Sequence, residues 1–409
     1  MSAPVTLGDL AAAVAAPGTD PDALARLVAL ASGPGGGPER VRRALASSAD
    51  APADASGAAA LLAGIVGTPS GPDAAGRRSA AAAALRGWTA LGVRAAVVGD
   101  PGYPPRLAEG WPQVDAPMLL AWRGVPPRDA GPGVAVVGTR RATPYGLAIA
   151  TDLAAAVARA GGRVVSGGAR GIDAAAHTAA LGLPGGTTVV LGCGHAVAYP
   201  RPHAREGGLF DRVLADGGTL VSELTPDLAP HPGVIRARNR IVAGLAEAVV
   251  VVEGGDRSGA LLTAGAAATR GRPVLAVPGD LDAPGSAAPL RLLSEGAEPY
   301  LGPASALALL PAPAPAGAGG DGTTDGEADG RAPGVTAGSR AAALRHLVPP
   351  GAAAVLARAW PRPMTPAEVA RAAGCDAGEL LAGIVRARLA GALEAVGDGV
   401  RVADPAGRR

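Results

Sequence analysis

VAVVGTRRATPYG, residues 134–146, and SGGARGIDAAAH, residues 166–177, decide the fold of this chain. In each segment a Val-rich run ends at a glycine-containing turn that carries arginine, and an alanine-rich helical pattern follows. Backbone N–H groups at the start of such a helix, with arginine beside them, face an anion. The two segments therefore predict strand–turn–helix units that bind phosphate, from a nucleotide or from a nucleic-acid backbone.

The same alternation continues through residues 131–310. The strand-like runs are VAVVG, GRVVSGG, TTVVLGCG, GTLVSE, AVVVVEGG and RPVLAVPG. Strands that alternate with helices predict an α/β fold, in which a Rossmann-like, mostly parallel sheet has helices on both faces. Ligands of such sheets bind at the carboxyl ends of the strands, where the glycine turns lie.

Familiar nucleotide motifs do not account for these glycines. Dinucleotide binding uses G-x-G-x-x-G, whereas Gly138 is followed by Thr139, Arg140 and Arg141. A P-loop requires lysine, and all 37 basic residues of the chain are arginine. Walker-type ATP hydrolysis is therefore excluded.

The composition is typical of a soluble globular protein. The 409 residues are 48% hydrophobic, and the net charge is only +2, so an anion site depends on where individual arginines lie. Cys193 and Cys375 have no metal-ligand spacing and suit a reducing compartment. No signal-like N-terminus or membrane-spanning apolar run is found. We expect a cytoplasmic protein with no metal, no cofactor and no membrane contact.

Shifts in composition divide the chain into five segments. We expect a helical N-terminal domain (1–95), a connecting segment (96–130), the Rossmann-like domain (131–310), a flexible linker (311–339) and a small C-terminal domain (340–409). In the last segment Thr365 and Glu368 form a capping-box pattern, and a second helix and a hairpin follow. That order is typical of a winged helix.

The ordered motifs resemble those of the DprA family (DNA-processing protein A, also called Smf). They are YPPRL (103–107), APMLLAWRG (116–124), GTRRATPYG, SGGARGIDAAAH, YP (199–200), SE (222–223), RNRIVAGL (238–245), SGALLTAGAA (258–267) and RPVLAVPG (272–279). The resemblance implies a Rossmann-like domain that binds single-stranded DNA, protects incoming strands during natural transformation and loads the RecA recombinase. It implies no chemical step and no catalytic residue.

The resemblance also implies a homodimer made through the sheet domain. It places a sterile-alpha-motif-like or helix-hairpin-helix-like domain at the N-terminus and a winged-helix domain at the C-terminus. No firm motif for the N-terminal domain is found in residues 1–95.

The candidate DNA contacts lie in the glycine and arginine turns and at one further helix start. Planar guanidinium groups and backbone N–H donors both match phosphate oxygens. The candidates are Gly138, Thr139, Arg140, Arg141, Ser166, Gly167, Gly168, Arg170, Gly171, Arg238, Asn239, Ser258 and Thr263.

These candidates also have structural alternatives. The glycines could serve tight strand-to-helix packing. Arg140 and Arg170 could be surface ion-pair partners. Ser166 and Ser258 could cap the helices that follow them, and Thr263 could face the core.

Three further polar residues are not assigned to catalysis. Asp173 and His177 lie four residues apart on one helix, and we expect a structural pair rather than a catalytic one. Glu253 follows a strand as a lone carboxylate without a placed partner.

Two segments depart from the family pattern. Ile235 and Arg236 stand where the family has Phe-Pro, so we expect a base-stacking aromatic to be missing there and phosphate contacts to dominate. Ala288 and Leu290 stand where the family has glycine and asparagine in S-x-G-x-N.

Two other functions stay open. One is a nucleotide-binding sensor, and the other is an enzyme similar to the phosphoribohydrolases that cleave nucleoside monophosphates at the same sheet edge. Those enzymes carry P-G-G-x-G-T-x-x-E, whereas this chain has VEGGDRSGALLTA at 252–264, without the glutamate. The arginine-bearing turns at 138–141, 167–171 and 236–240 favour an extended polymer over one mononucleotide.

Overall fold

The structure of the chain is a computed structural model that describes residues 6–32, 74–109, 115–311 and parts of 344–402. It divides into two compact units, Met1–Ala312 and Pro313–Arg409. The expected linker lies outside the described residues from 312 onward, and residues 33–73 of the expected N-terminal domain also lie outside them.

Nine described strands of the first unit form one sheet. They are Arg94–Val97 (β1), Leu119–Gly124 (β2), Gly133–Val137 (β3), Arg163–Ser166 (β4), Thr187–Val190 (β5), Thr219–Ser222 (β6), Ala248–Val251 (β7), Val274–Ala276 (β8) and Glu298–Pro299 (β9). The order is β1-β2-β6-β5-β4-β3-β7-β8-β9. Neighbours from β6 to β9 are parallel, and β2 is antiparallel to both β1 and β6. The prediction of an α/β fold with a mostly parallel sheet is confirmed.

The described helices of this unit cover both faces of the sheet. They are Leu7–Ala12 (α1), Pro21–Ala31 (α2), Ala74–Ala90 (α3), Pro105–Ala108 (α4), Pro144–Arg159 (α5), Ile172–Ala180 (α6), Arg201–Ala204 (α7), Leu209–Ala215 (α8), Pro232–Gly244 (α9), Gly259–Thr269 (α10), Ala287–Ser294 (α11) and Pro303–Leu307 (α12). Helices α5 and α6 pack together on one face, and α9 and α10 pack together on the other.

Successive strand residues enter two different cores. Val134 and Val136 of β3 pack in the core that contains α5 and α6. Ala135 and Val137 pack in the core that contains α9 and α10. Side chains alternate between the faces of a strand, so a sheet covered on both faces needs apolar residues at every position. This is why the strands read as continuous apolar runs.

The segment between the N-terminal helices and β3 contributes two strands that the sequence analysis did not assign. Ala95 of β1 lies opposite Ala121 of β2, and Ala121 lies opposite Ser222 of β6. Leu24 and Leu85 of the N-terminal helices share a core with β1. The described N-terminal helices and the sheet therefore have a continuous hydrophobic core, and the boundary at residue 95 stays a prediction.

In the second unit the described residues include two helices and two paired strands, Pro350–Ala359 (α13), Pro366–Ala373 (α14), Leu393–Val396 (β10) and Gly399–Val402 (β11). The Thr365 hydroxyl accepts a hydrogen bond from the Glu368 N–H (3.3 Å), and the Glu368 carboxylate accepts one from the Thr365 N–H (2.8 Å). The predicted capping box is thus present. Residues 397 and 398 of the hairpin lie outside the described residues, and the winged helix stays a prediction.

His177 is buried in the sheet domain and does not pair with Asp173. Its Nδ1 lies 2.7 Å from the hydroxyl of Thr187, which donates its own hydrogen to the Val164 carbonyl, so Nδ1–H is the donor. Asp173 accepts from the Ala169 N–H instead (3.2 Å). The predicted pair is wrong, because each side chain faces a partner outside the helix. Burial lowers the pKa of His177 to about 3.

We expect acidification to destabilise the fold through His177. In the unfolded chain a histidine takes up a proton below about pH 6.5, whereas folded His177 resists protonation down to about pH 3. The free energy of unfolding should therefore fall by about 1.4 kcal/mol per pH unit as the pH drops through this window. Urea unfolding at a series of pH values from neutral to acidic should show that His177→Asn loses less unfolding free energy than the unmodified chain. His231→Asn, at an exposed position, should match the unmodified chain. Parallel pH profiles for all three proteins would contradict this role.

Candidate nucleic-acid interface

A pit of about 350 Å³ opens at the carboxyl edge of the sheet. Its walls are the turns after β3, β4 and β7 and the helices α9 and α10. The chain proceeds from β3 to β4 on one side and from β7 to β8 on the other, so the strand order reverses between β3 and β7. Open α/β sheets bind their ligands at such a switch point.

Nine of the predicted contact residues line this pit. They are Gly138, Thr139, Arg140, Arg141, Gly167, Arg238, Asn239, Ser258 and Thr263. The structure thus brings together residues that are up to 125 positions apart in the sequence. Their contact with DNA stays a prediction.

The other four predicted residues lie beside the pit without lining it. Ser166 is fully buried, and its hydroxyl donates to a carbonyl of β3 (2.6 Å). Gly168 and Gly171 have φ angles of 70° and 79°, a region that favours glycine. Arg170 is exposed, one residue beyond the wall residue Ala169. Ser166 and the two glycines shape the turn, and Arg170 extends the cationic edge.

Glu253 holds the arginine-bearing turn after β3 in place. Its carboxylate accepts hydrogen bonds from the Thr143 N–H (3.0 Å) and from the Thr143 hydroxyl (2.5 Å). Its backbone carbonyl accepts from the Thr139 N–H (2.8 Å). Thr143 also caps α5 by accepting from the Gly146 N–H (3.1 Å). Glu253 is therefore a positioning residue whose carboxylate is already engaged.

An ion pair anchors α9 against the end of β6. Two nitrogens of the Arg240 guanidinium each lie 2.7 Å from an oxygen of Glu223, and the third lies 2.9 Å from Asp115. This two-pronged geometry fixes orientation as well as distance. Arg238 lies two residues earlier on α9, so the pair sets where the Arg238 side chain enters the pit.

Arg238 forms the buried floor of the pit. It is only 7% exposed, and a Cβ placed on Gly167 would lie 2.5 Å from its Cζ atom. Its Nε is buried and has no hydrogen-bond partner among the described residues. Burial lowers the pKa of Arg238, the Asp173 carboxylate raises it, and the charge of Arg140 lowers it further. An anion in the pit would pair with this buried cation and accept a hydrogen bond from its unused donor. Both contacts would offset the cost of burying the guanidinium.

The start of α10 closes the opposite wall. The Ser258 hydroxyl accepts from the Ala260 N–H (3.3 Å), so this serine caps the helix as its structural alternative expected. The Asn239 side chain donates to the Gly259 carbonyl (2.9 Å) and ties α9 to α10. Thr263 is 2% exposed. These three residues line the pit and also hold its shape.

Both departures from the family pattern lie near the pit. The aliphatic side chain of Ile235 is part of the wall. Ala288 is fully buried, and its N–H donates to the Gly254 carbonyl (2.8 Å), which supports the turn after β7.

The described residues contain neither a cluster of three or more His, Cys, Asp or Glu side chains that could hold a metal nor a helix with the length and apolar character needed to cross a membrane.

The fold and the pit together define a Rossmann-like α/β protein with an arginine-lined pit at a strand-order switch point. Residues 94–311 match the family described as DNA recombination-mediator protein A, and this match covers more than half of the chain. The chain belongs to that family, which confirms the resemblance seen in the sequence.

Similar proteins match the same region. A Mycobacterium tuberculosis protein that carries the DprA name is 46% identical over 183 residues, or 44% of this chain and 46% of the relative. Protein Smf of Escherichia coli is 40% identical over 195 residues, or 48% and 50%. The match therefore spans about half the length of these relatives. The X-ray structure of DNA processing protein A from Streptococcus pneumoniae is similar with a TM-score of 0.50 and 31% identity, covering 61% of this chain and 85% of that chain.

Replacing Glu253 with alanine should loosen the turn after β3. Hydrogen bonds to a charged group contribute about 1.5–3 kcal/mol each, so we expect Glu253→Ala to lower the free energy of unfolding by at least about 2 kcal/mol. Asp256→Ala, at an exposed position on the next turn, should change it by less than about 0.5 kcal/mol. Urea unfolding compares the two variants, and equal effects would argue against a positioning role for Glu253.

Proposed function

We propose that this chain binds single-stranded DNA along the carboxyl edge of the sheet, with a phosphate in the pit, and that it carries out no covalent chemistry. The observation that supports this most directly is the buried Arg238 guanidinium with its unused Nε donor. Arg140 and Arg141 are exposed at the same pit and add positive charge where a strand would approach. Membership of a recombination-mediator family agrees with this function.

A single strand suits this edge better than a duplex or a free nucleotide. Duplex DNA is stiff over about 150 base pairs, and its phosphates lie on a convex surface. Arg238 lies below the surface under Gly167, where a flexible strand can lower a phosphate. Arg170 and Arg236 are exposed outside the pit, so the cationic edge extends beyond one nucleotide.

The contacts would leave the bases of the strand accessible. Aromatic residues make up 2% of the chain, and the wall residue at position 235 is isoleucine. Binding through phosphates rather than through stacked bases suits a protein that hands its strand to a recombinase. We further propose that the protein protects incoming strands and loads RecA, and that it acts as a cytoplasmic homodimer. We also propose that a C-terminal winged helix contacts DNA or protein.

An enzymatic role has less support from the residues of the pit. The Asp173 carboxylate accepts from the Ala169 N–H and faces the charge of Arg238. The Glu253 carboxylate is engaged by Thr143. Both carboxylates therefore already stabilise the turns that form the walls.

The double variant Arg140→Ala, Arg141→Ala should bind single-stranded DNA more weakly than the unmodified chain. Each phosphate contact to a single strand contributes about 0.7 to the slope of log affinity against log salt, so two lost contacts should make the slope shallower by about 1.4. Fluorescence anisotropy of one labelled oligonucleotide and its duplex across a salt series measures both quantities, and the single strand should bind more tightly.

A double variant of equal charge is the control for this experiment. Arg159 and Arg212 are exposed in the last turns of α5 and α8, at the other edge of the sheet. Arg159→Ala, Arg212→Ala should leave affinity and salt slope close to those of the unmodified chain. Equal losses in the two double variants, tighter binding of the duplex, or displacement by low concentrations of mononucleotide would overturn the proposed site.

The RecA part of the proposal predicts faster filament assembly. On a strand already coated by a single-strand-binding protein, adding the chain should shorten the lag before RecA hydrolyses ATP. The Arg140→Ala, Arg141→Ala variant should leave a longer lag than the unmodified chain, because it would hold the strand less tightly. A lag that the unmodified chain does not change would contradict RecA loading while leaving DNA binding in place.

A further inference from the structure

We propose that the pit accepts a terminal phosphate of a DNA strand, a phosphomonoester, in preference to a phosphodiester from its interior. This inference rests on the proposed function, since it specifies which part of a single strand occupies the pit. It would make the protein a binder of strand ends as well as of strands.

The depth of Arg238 is the first reason. Arg238 is only 7% exposed and its guanidinium lies against the Gly167 turn, with Val242, Ala260 and Thr263 as buried residues of the surrounding wall. A pit of about 350 Å³ is near the lower end of the range for small-ligand sites, which is about 300–1,000 Å³. An interior phosphate carries a sugar on both sides, so two sugars would have to fit beside the buried guanidinium. A terminal phosphate carries one sugar and can enter end-on.

The charge of the pit is the second reason. Arg140, Arg141 and Arg238 line it together with one carboxylate, Asp173, so these four lining side chains carry a formal charge of three minus one, or +2. A terminal phosphate carries about −1.5 to −2 at neutral pH, whereas each interior phosphate carries a single negative charge. The terminal group therefore balances this pit more closely than the interior one.

Arg140 and Arg238 are placed to bind a ligand with two negative charges between them. The charge of Arg140 acts on Arg238 unfavourably, as its lowering effect on the Arg238 pKa shows. A terminal phosphate has three unesterified oxygens, so it can accept from Arg238 at the floor and from Arg140 and Thr139 at the mouth. The Thr139 hydroxyl accepts from the Arg141 N–H (3.2 Å), which leaves its own hydrogen free to donate.

The test compares strands of one sequence that differ only at their ends. Competition anisotropy would use a 5′-phosphorylated strand, a 3′-phosphorylated strand, a strand with two hydroxyl ends and a circular single strand of the same length. At least one phosphorylated strand should bind about tenfold more tightly than the hydroxyl-ended strand and the circle. The two phosphorylated arms show which end the pit accepts.

Three variants connect the preference to the pit. Arg238→Gln should reduce the tenfold difference to less than about twofold, and circular dichroism checks that this core variant folds. Arg140→Ala acts at the exposed mouth and should reduce the same preference without altering the core. Arg159→Ala removes an exposed arginine from the last turn of α5, at the other edge of the sheet, and it should keep the preference.

The outcomes separate this inference from the proposed function. Equal affinity for all four strands would overturn the terminal-phosphate assignment and leave single-strand binding in place. A preference that persists in folded Arg238→Gln and in Arg140→Ala would also overturn it, because the preference would arise elsewhere. Failure to bind any strand would overturn the proposed function and the inference together.

Discussion

The burial of one cation under a glycine turn is the constraint on which this edge of the protein depends. Removing a guanidinium from water is unfavourable by several kcal/mol unless a counter-charge and fixed geometry compensate. Asp173 supplies the counter-charge, and the Glu223–Arg240 pair holds the helix that carries Arg238. Gly167 is required because a side chain there would occupy the space of the guanidinium. The shape of the turn and the position of α9 both serve a single buried charge.

The parallel part of the sheet and most residues that line the pit could be predicted from the sequence. The six apolar runs that precede glycine or acidic turns became β3 to β8, because strands buried on both faces require apolar residues throughout. Placing the glycine turns at the carboxyl edge then follows from parallel pairing, and this brought Arg140 and Gly167 into one group. Arg238 was expected at the start of a helix, whereas it lies in the middle of α9. The position of a residue that directly follows a strand can thus be predicted from the apolar pattern and the parallel topology together.

Strand pairings and side-chain contacts between distant segments of the chain could not be predicted from the sequence. β2 is placed by antiparallel pairing with β6, about 100 residues later, and β1 pairs in turn with β2. The expected Asp173–His177 pair failed because helical spacing shows which residues share a face and not what packs against it. Glu253 likewise gains its role only from Thr143, which lies on a separate strand–turn–helix unit.

The choice of arginine over lysine at the floor determines which condition of the cell controls this site. A lysine buried to the same degree can lose its proton near neutral pH, and the floor of the pit would then carry no positive charge. An arginine retains its charge, since its guanidinium is not deprotonated in proteins. Arg238 therefore keeps its own charge across the pH range of a cell, and the strength of its proposed contact with phosphate follows the ionic strength of the compartment.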